Sequence, residues 1–142
     1  MIIRAGIEYA RVLSEVGAKA FVESHKESAP ATEIEAYLAE KYSIPAFSKE
    51  LADPTNIYHV IKHGEEIAGF SKIVFNSNCP TIGLSNVAKM DQIYLLNVFH
   101  GLKLGARLLQ YNIEFSKSME QQGMWLVVWV GNKRAISFYE KF

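Results

Sequence analysis

Met124-Trp125-Leu126-Val127-Val128-Trp129-Val130 is an unbroken apolar run, rich in β-branched and aromatic residues. It is far shorter than a membrane-spanning helix and offers water no polar face. A run of this kind is expected as a central strand, covered on both faces by other elements. The chain around it must therefore supply a sheet and the helices that shield it.

Those elements can be read from spacing. Met1–Arg4 suits a short first strand, and Ile7 to about His25 carries apolar residues at helical intervals (Ala10, Leu13, Val16, Gly17, Ala20, Phe21). Thr32 is the expected N-cap of a second helix with Ile34, Tyr37, Leu38 and Tyr42 on one face. Ser43–Pro54 is irregular or a short helix, with Ile44, Phe47 and Leu51 inward. Ile57–Lys62 and Ile67–Phe75 form a hairpin around His63-Gly64-Glu65-Glu66, and 76–88 is a loop. Met90–Leu96 is a strand. A helix then runs from about Lys103 to Gln122, striped by Leu104, Leu108, Tyr111, Phe115 and Met119 and closed by Gly123. After the apolar strand, Asn132 opens a last helix with Ala135, Ile136 and Tyr139. The order β-α-α-β-β-β-α-β-α defines an α/β fold, a mixed sheet with helices packed on it.

With 142 residues, 49% hydrophobic and 21% charged, the chain suits one domain with one core. Fifteen Lys and Arg balance fifteen Asp and Glu, without the basic excess that nucleic-acid binding draws on. The single cysteine, Cys79, cannot form an internal disulfide. No signal-peptide pattern or membrane-length apolar window is read, so the expectation is a soluble, cytoplasmic protein. The four histidines, His25, His59, His63 and His100, lack metal-ligand spacing, and no metal is expected. His59 and His63 read as solvated residues of the hairpin.

At His100-Gly101-Leu102-Lys103-Leu104-Gly105-Ala106 a strand gives way to a long helix. The amides of such a helix start point outward, where the macrodipole favours an anion, and Lys103 and Arg107 add cations. A pyrophosphate fits this description. So does a plain structural turn in which Gly101 and Gly105 only allow close packing.

From about Thr55 onward the chain resembles GNAT-superfamily N-acetyltransferases, most of all the bacterial polyamine (spermidine/spermine) N-acetyltransferases. The segment from Trp125 to Lys141 follows that family's W-L-x-V-W-x-x-N-x-x-A-I-x-F-Y-x-K pattern without a gap, and 100–105 follows its Q/R-x-x-G-x-G/A turn. In the turn His100 replaces Gln or Arg and Lys103 replaces the middle Gly. A lysine forced to positive φ costs about 1–2 kcal/mol, unless Gly101 takes over the turn.

The resemblance implies a twisted, mostly antiparallel mixed sheet flanked by helices, and a substrate pair of acetyl-CoA and a small primary amine, for these relatives a polyamine. It implies that His100, Gly101, Leu102, Lys103, Leu104, Gly105 and Ala106 cradle the pyrophosphate. The backbone of Ile93, Tyr94 and Leu95 would pair with the pantetheine arm, and Asn132 would contact the same arm. Tyr139 is the implied acid for the departing thiolate. Its local reading is an apolar-face residue beside Ala135 and Ile136. Asp91 is the implied aid to amine deprotonation, or else an exposed charge at a strand end. Relatives that acetylate protein N-termini carry a Glu where this chain has Val127, which argues against their mechanism. Relatives also continue with two further strands, so the resemblance implies a chain truncated after Phe142 and a sheet edge open to a homodimer or to strand exchange. A CoA-binding or interaction domain of the same fold without turnover is the alternative.

Overall fold

The structure, a computed structural model, describes residues 1–79, 83 and 86–127. Among the described residues five strands form one sheet in the order β1-β2-β3-β4-β5: Ile2–Ala5, Asn56–His63, Glu66–Val74, Ala88–Leu95 and Met124–Trp125. The first four pair antiparallel in succession, and β5 lies parallel to β4. The expected α/β class and mostly antiparallel sheet are therefore present. Among the described residues four α-helices, α1 (Ala10–His25), α2 (Ala31–Lys41), α3 (Ile44–Ala52) and α4 (Leu104–Ser118), accompany it.

The residues of β2 and β3 alternate between two apolar layers. Tyr58, Val60 and Phe70 pack with Leu13 of α1, Tyr42 and Phe47 of α3. Ile57, Ile73 and Met90 pack with Leu109 of α4. A third cluster, Ile61, Leu96, Phe99, Leu104 and Leu108, lies under the start of α4.

Local signals explain most boundaries. Ser43 caps α3, its Oγ accepting the Ala46 amide at 3.2 Å, with Pro45 in the first turn where a missing N–H costs nothing. Thr32 is not the cap of α2. Pro30 holds that place in extended conformation, and Thr32 sits inside the first turn. Gly123 does not close α4 either: the helix ends at Ser118, and Glu120 takes the left-handed position at φ 64° while the Gln121 amide reaches back to the Ser116 carbonyl. Ile44 is exposed instead of inward.

The buried stripe of α4 is Leu104, Leu108, Leu109, Asn112 and Ser116, whereas Tyr111 and Met119 are exposed. Asn112 belongs to a buried polar network. Its Nδ2 donates to Ser71 Oγ at 2.8 Å and to the Leu108 carbonyl at 2.9 Å, which turns its Oδ1 toward His59 Nδ1 at 3.0 Å. His59 is thus fully buried, and its expected solvation is corrected. Since Asn112 presents an oxygen, His59 Nδ1 carries the proton and Nε2 keeps a bare lone pair. Among the described residues Nε2 has no hydrogen-bond partner, and the rings of Tyr111 and Phe115 stand edge-on at 5.0 Å. Burial, reinforced by nearby Arg4, pushes the imidazole down to about 4 against the upward pull of its Asn112 hydrogen bond.

The expected central strand is described only over its first part. Trp125 and Leu126 are half-buried, and Val127 is exposed, so full coverage does not hold there. Among the described residues no helix is long and apolar enough to cross a membrane.

Candidate active site

The site is organised by an event in β4. Lys72 of β3 faces Gln92, but the next residue, Ile73, faces Met90, so Asp91 is the extra residue of a β-bulge. Bulges sharpen the local twist and re-aim a side chain. The Asp91 carboxylate lies 3.6 Å from Lys72 Nζ and 3.4 Å from Lys89 Nζ. Lys72, whose side chain is only 13% exposed, also donates to Glu50 Oε1 at 2.6 Å. The Tyr58 hydroxyl donates to the same Glu50 oxygen at 3.1 Å, and Asn56 Nδ2 donates to Glu50 Oε2 at 3.0 Å. Two carboxylates and two ammonium groups cancel, leaving a neutral, cross-linked cluster under α3. Asp91 is thus exposed but ion-paired with two lysines.

On its other side β4 pairs with β5, Ala88 facing Met124 and Lys89 facing Trp125. Trp125 is anchored beside this pairing, its indole N–H donating to the Ser77 carbonyl at 3.0 Å and its ring under Lys89 at 5.2 Å. Ile93, Tyr94 and Leu95 remain paired to Ser71, Phe70 and Gly69 on the β3 side. Gly69 is there for space: a Cβ on it would fall 2.1 Å from the Tyr94 carbonyl oxygen.

The chain next makes a 3-10 turn, Asn97–Phe99, and enters α4. The Asn97 amide donates to the Glu23 carboxylate of α1 at 2.8 Å, and His100 Nε2 donates to the Leu95 carbonyl at 3.0 Å, so both ends of the turn are tied. Gly101 has φ 84° and Lys103 φ 62°. Gly101 thus does not relieve Lys103, which holds the left-handed conformation at the N-cap of α4. The Arg107 amide bonds to the Lys103 carbonyl at 3.2 Å. The amides of Leu104, Gly105 and Ala106 precede it and are those a helix start leaves without an i−4 acceptor. The Leu104 side chain is buried in the core, so only its backbone faces the turn, while Gly101, Leu102, Lys103 and Arg107 are exposed. Lys103 and Arg107 add positive charge to the positive end of the helix dipole.

The structure thus brings Asp91, Ile93, Tyr94 and Leu95 onto one strand that leads directly into the 100–106 turn. Asn132 and Tyr139 lie outside the described residues. Glu23, Gly69, Lys72 and Glu50 were not singled out from sequence. Only Gly69 had a local signal, since glycine inside a strand often marks close backbone approach. Among the described residues no group of three His, Cys, Asp or Glu is placed to hold a metal ion.

β4 of this mostly antiparallel α/β sheet thus leads through a left-handed turn into the start of α4. A model of the acetyltransferase (GNAT) family matches residues 18–142, and the chain belongs to that family. Among solved structures it is similar to the PaiA N-acetyltransferase of Thermoplasma acidophilum in complex with coenzyme A: TM-score 0.84, 21% identity, 99% of this chain and 86% of that one covered. A transcriptional regulator from Bacillus halodurans C-125 has TM-score 0.75 and 23% identity, over 99% of this chain and 89% of the other. An aminoglycoside acetyltransferase from an uncultured soil metagenomic sample, in complex with trehalose, has TM-score 0.74 and 12% identity, over 99% and 85%.

Proposed function

We propose that the protein transfers an acetyl group from acetyl-CoA to a small primary amine, with a polyamine as the acceptor its sequence resemblance favours. The observation that carries this reading is the course of the backbone at Lys103. The residue keeps a left-handed φ of 62° where the family's turn has glycine. A left-handed turn kept with a side chain that disfavours it supports a phosphate cradle at this place. The helix-start amides of 104–106, with Lys103 and Arg107, are the groups that would hold the pyrophosphate. Ile93, Tyr94 and Leu95, on β4 just before the turn, are the backbone that would align the pantetheine and polarise the acetyl carbonyl.

In this reading the amine nitrogen attacks the thioester carbonyl directly, and no acyl-enzyme forms. The C–N bond is made, the C–S bond breaks, and the sulfur leaves as a thiol once it receives a proton. Tyr139 supplies that proton, a phenol near 10 and a thiol near 8.5 being close enough (approximate reference values) for transfer as the bond breaks. The proton that the ammonium must lose before its nitrogen can attack leaves through Asp91, directly or by way of water.

The test is CoA binding by calorimetry together with turnover on a panel of primary amines. Tyr139→Phe should lower kcat by about 100-fold or more while CoA still binds. Unchanged turnover would remove Tyr139 from the acid's role. Saturable CoA binding with no turnover on any amine would favour the alternative, a binding domain of the same fold.

A further inference from the structure

The Asp91 carboxylate has cations beside it that do not cap it. Lys89 Nζ lies 3.4 Å from one of its oxygens and Lys72 Nζ 3.6 Å from the other. Both distances exceed the roughly 2.7–3.2 Å of an N–H···O hydrogen bond, so the attraction is Coulombic and the carboxylate keeps lone pairs for another donor. Each lysine is held back by a second partner. Lys72 donates to Glu50 Oε1 at 2.6 Å, a short charge-assisted bond. Lys89 stands 5.2 Å from the centroid of the Trp125 ring, whose indole is itself tied to the Ser77 carbonyl.

Glu50 is the fixed point of this arrangement. It stands near the end of α3, and donors from two strands reach its carboxylate: Lys72 of β3 at 2.6 Å, and Tyr58 and Asn56 of β2 at 3.1 and 3.0 Å. Asn56 Nδ2 also reaches the Glu50 backbone carbonyl at 3.1 Å, which clamps the side chain to its own backbone. A glutamate so held gives up the rotamer freedom that a solvated one keeps. Lys72, with 13% of its side chain exposed, has little water to turn to. Without the Glu50 charge its remaining anion is Asp91, and the ammonium would close the gap and put a proton on the carboxylate's lone pair. A carboxylate capped in this way is a poorer acceptor for a further proton.

We propose that Glu50 is a positioning residue for the reaction: by taking the Lys72 proton it holds that ammonium off Asp91 and leaves the Asp91 carboxylate open to the substrate ammonium. In that step an N–H bond of the ammonium breaks and an O–H bond forms on Asp91, which passes the proton to solvent while the freed nitrogen lone pair attacks. Glu50 touches no reacting atom and acts through Lys72. The inference rests on the acetyl-transfer reading with Asp91 as the proton's exit, and adds to it the residue that keeps that exit open.

The test uses the full chain, with acetyl-CoA and whichever of n-hexylamine, putrescine, spermidine and glucosamine is turned over best. Asp91→Asn should lower kcat about 100-fold, the lower end of what a general base supplies. Glu50→Gln, nearly the same shape without the charge, should lower kcat about tenfold, a part of that contribution, with KM for acetyl-CoA unchanged. Adding Lys72→Met to Glu50→Gln removes the ammonium that caps Asp91 and leaves a neutral pair of similar shape, so kcat should rise again by about threefold or more. A merely structural ion pair would give no such recovery. In the Asp91→Asn background, Glu50→Gln should cost no further turnover. An unchanged kcat in Glu50→Gln, no recovery in Glu50→Gln/Lys72→Met, or the same loss from Glu50→Gln in the Asp91→Asn background would overturn this inference while leaving acetyl transfer in place. Full turnover in Asp91→Asn would take Asp91 out of the proton's path and overturn the inference with it. A parent protein that acetylates no amine would overturn both the inference and the acetyl-transfer reading.

Discussion

Replacing Lys103 by glycine removes a side chain from a residue held at φ 62° and ψ 18°. For a residue with a Cβ, the left-handed region costs about 1–2 kcal/mol, because Cβ crowds the following carbonyl oxygen. Glycine escapes that penalty but loses more chain entropy on folding, about 0.5–1 kcal/mol relative to alanine. The difference favours the folded state of Lys103→Gly by about 0.5–1 kcal/mol, which for a domain of this size is roughly a 1–4 °C rise in Tm. Lys103→Ala is the control, since it keeps Cβ and therefore the strain, and its Tm should match the parent's. Ligand binding should separate the two contributions of Lys103. Lys103→Ala loses an exposed cation worth about 0.2–1 kcal/mol to a bound phosphate, a fall in CoA affinity of about 1.5- to 5-fold. Thermal melts without ligand and calorimetric titration with CoA read both quantities. A Lys103→Gly protein no more stable than Lys103→Ala would refute the left-handed assignment, and with it the argument that the turn holds its shape against its own sequence.

Two other positions give outcomes set by the same coordinates. His59 has its folded-state pKa lowered to about 4 by burial, so its contribution to stability is complete above the unfolded value near 6.5 and is lost as pH falls from there toward 4. The loss should approach about 1.4 kcal/mol per pH unit and total about 3 kcal/mol, read by urea denaturation between pH 7.5 and 4, and His59→Phe should flatten that slope; an equal slope in the variant would assign the acid sensitivity elsewhere. Gly69→Ala places a Cβ 2.1 Å from the Tyr94 carbonyl oxygen, which should cost about 1–3 kcal/mol in urea denaturation and displace β4 enough to lower turnover; an unperturbed variant would show that the two strands tolerate a wider spacing.

What could be read from the sequence was what is written locally. The hairpin of β2 and β3, the α4 segment and the glycine-bearing turn before it all announce themselves by periodicity or by residue types with special backbone preferences. The bulge at Asp91 does not, because it exists only in the register of β4 against β3, and no spacing within β4 reveals it. The carboxylate that holds the Asn97 amide comes from Glu23, remote in sequence, and reads there as an ordinary helix-surface charge. The α4 stripe was half legible. Leu104 and Leu108 were found, but Asn112 and Ser116 were passed over because polar residues are rarely given core positions, and Tyr111 and Met119 were preferred although they lie outside. His59 was misplaced for the same reason. A polar side chain becomes a core residue only when its partners are known, and its partners, Asn112 and Ser71, belong to other elements.

The His59–Asn112–Ser71 triplet also limits how this interior can drift. Exchanging Asn112 alone for leucine would strand the imidazole N–H and the serine hydroxyl in a dry environment, each at about 1–3 kcal/mol, whereas converting all three to shape-matched apolar residues leaves nothing stranded. The viable routes through sequence space at these positions are therefore concerted, and a descendant of this chain should be found with the whole triplet or with none of it.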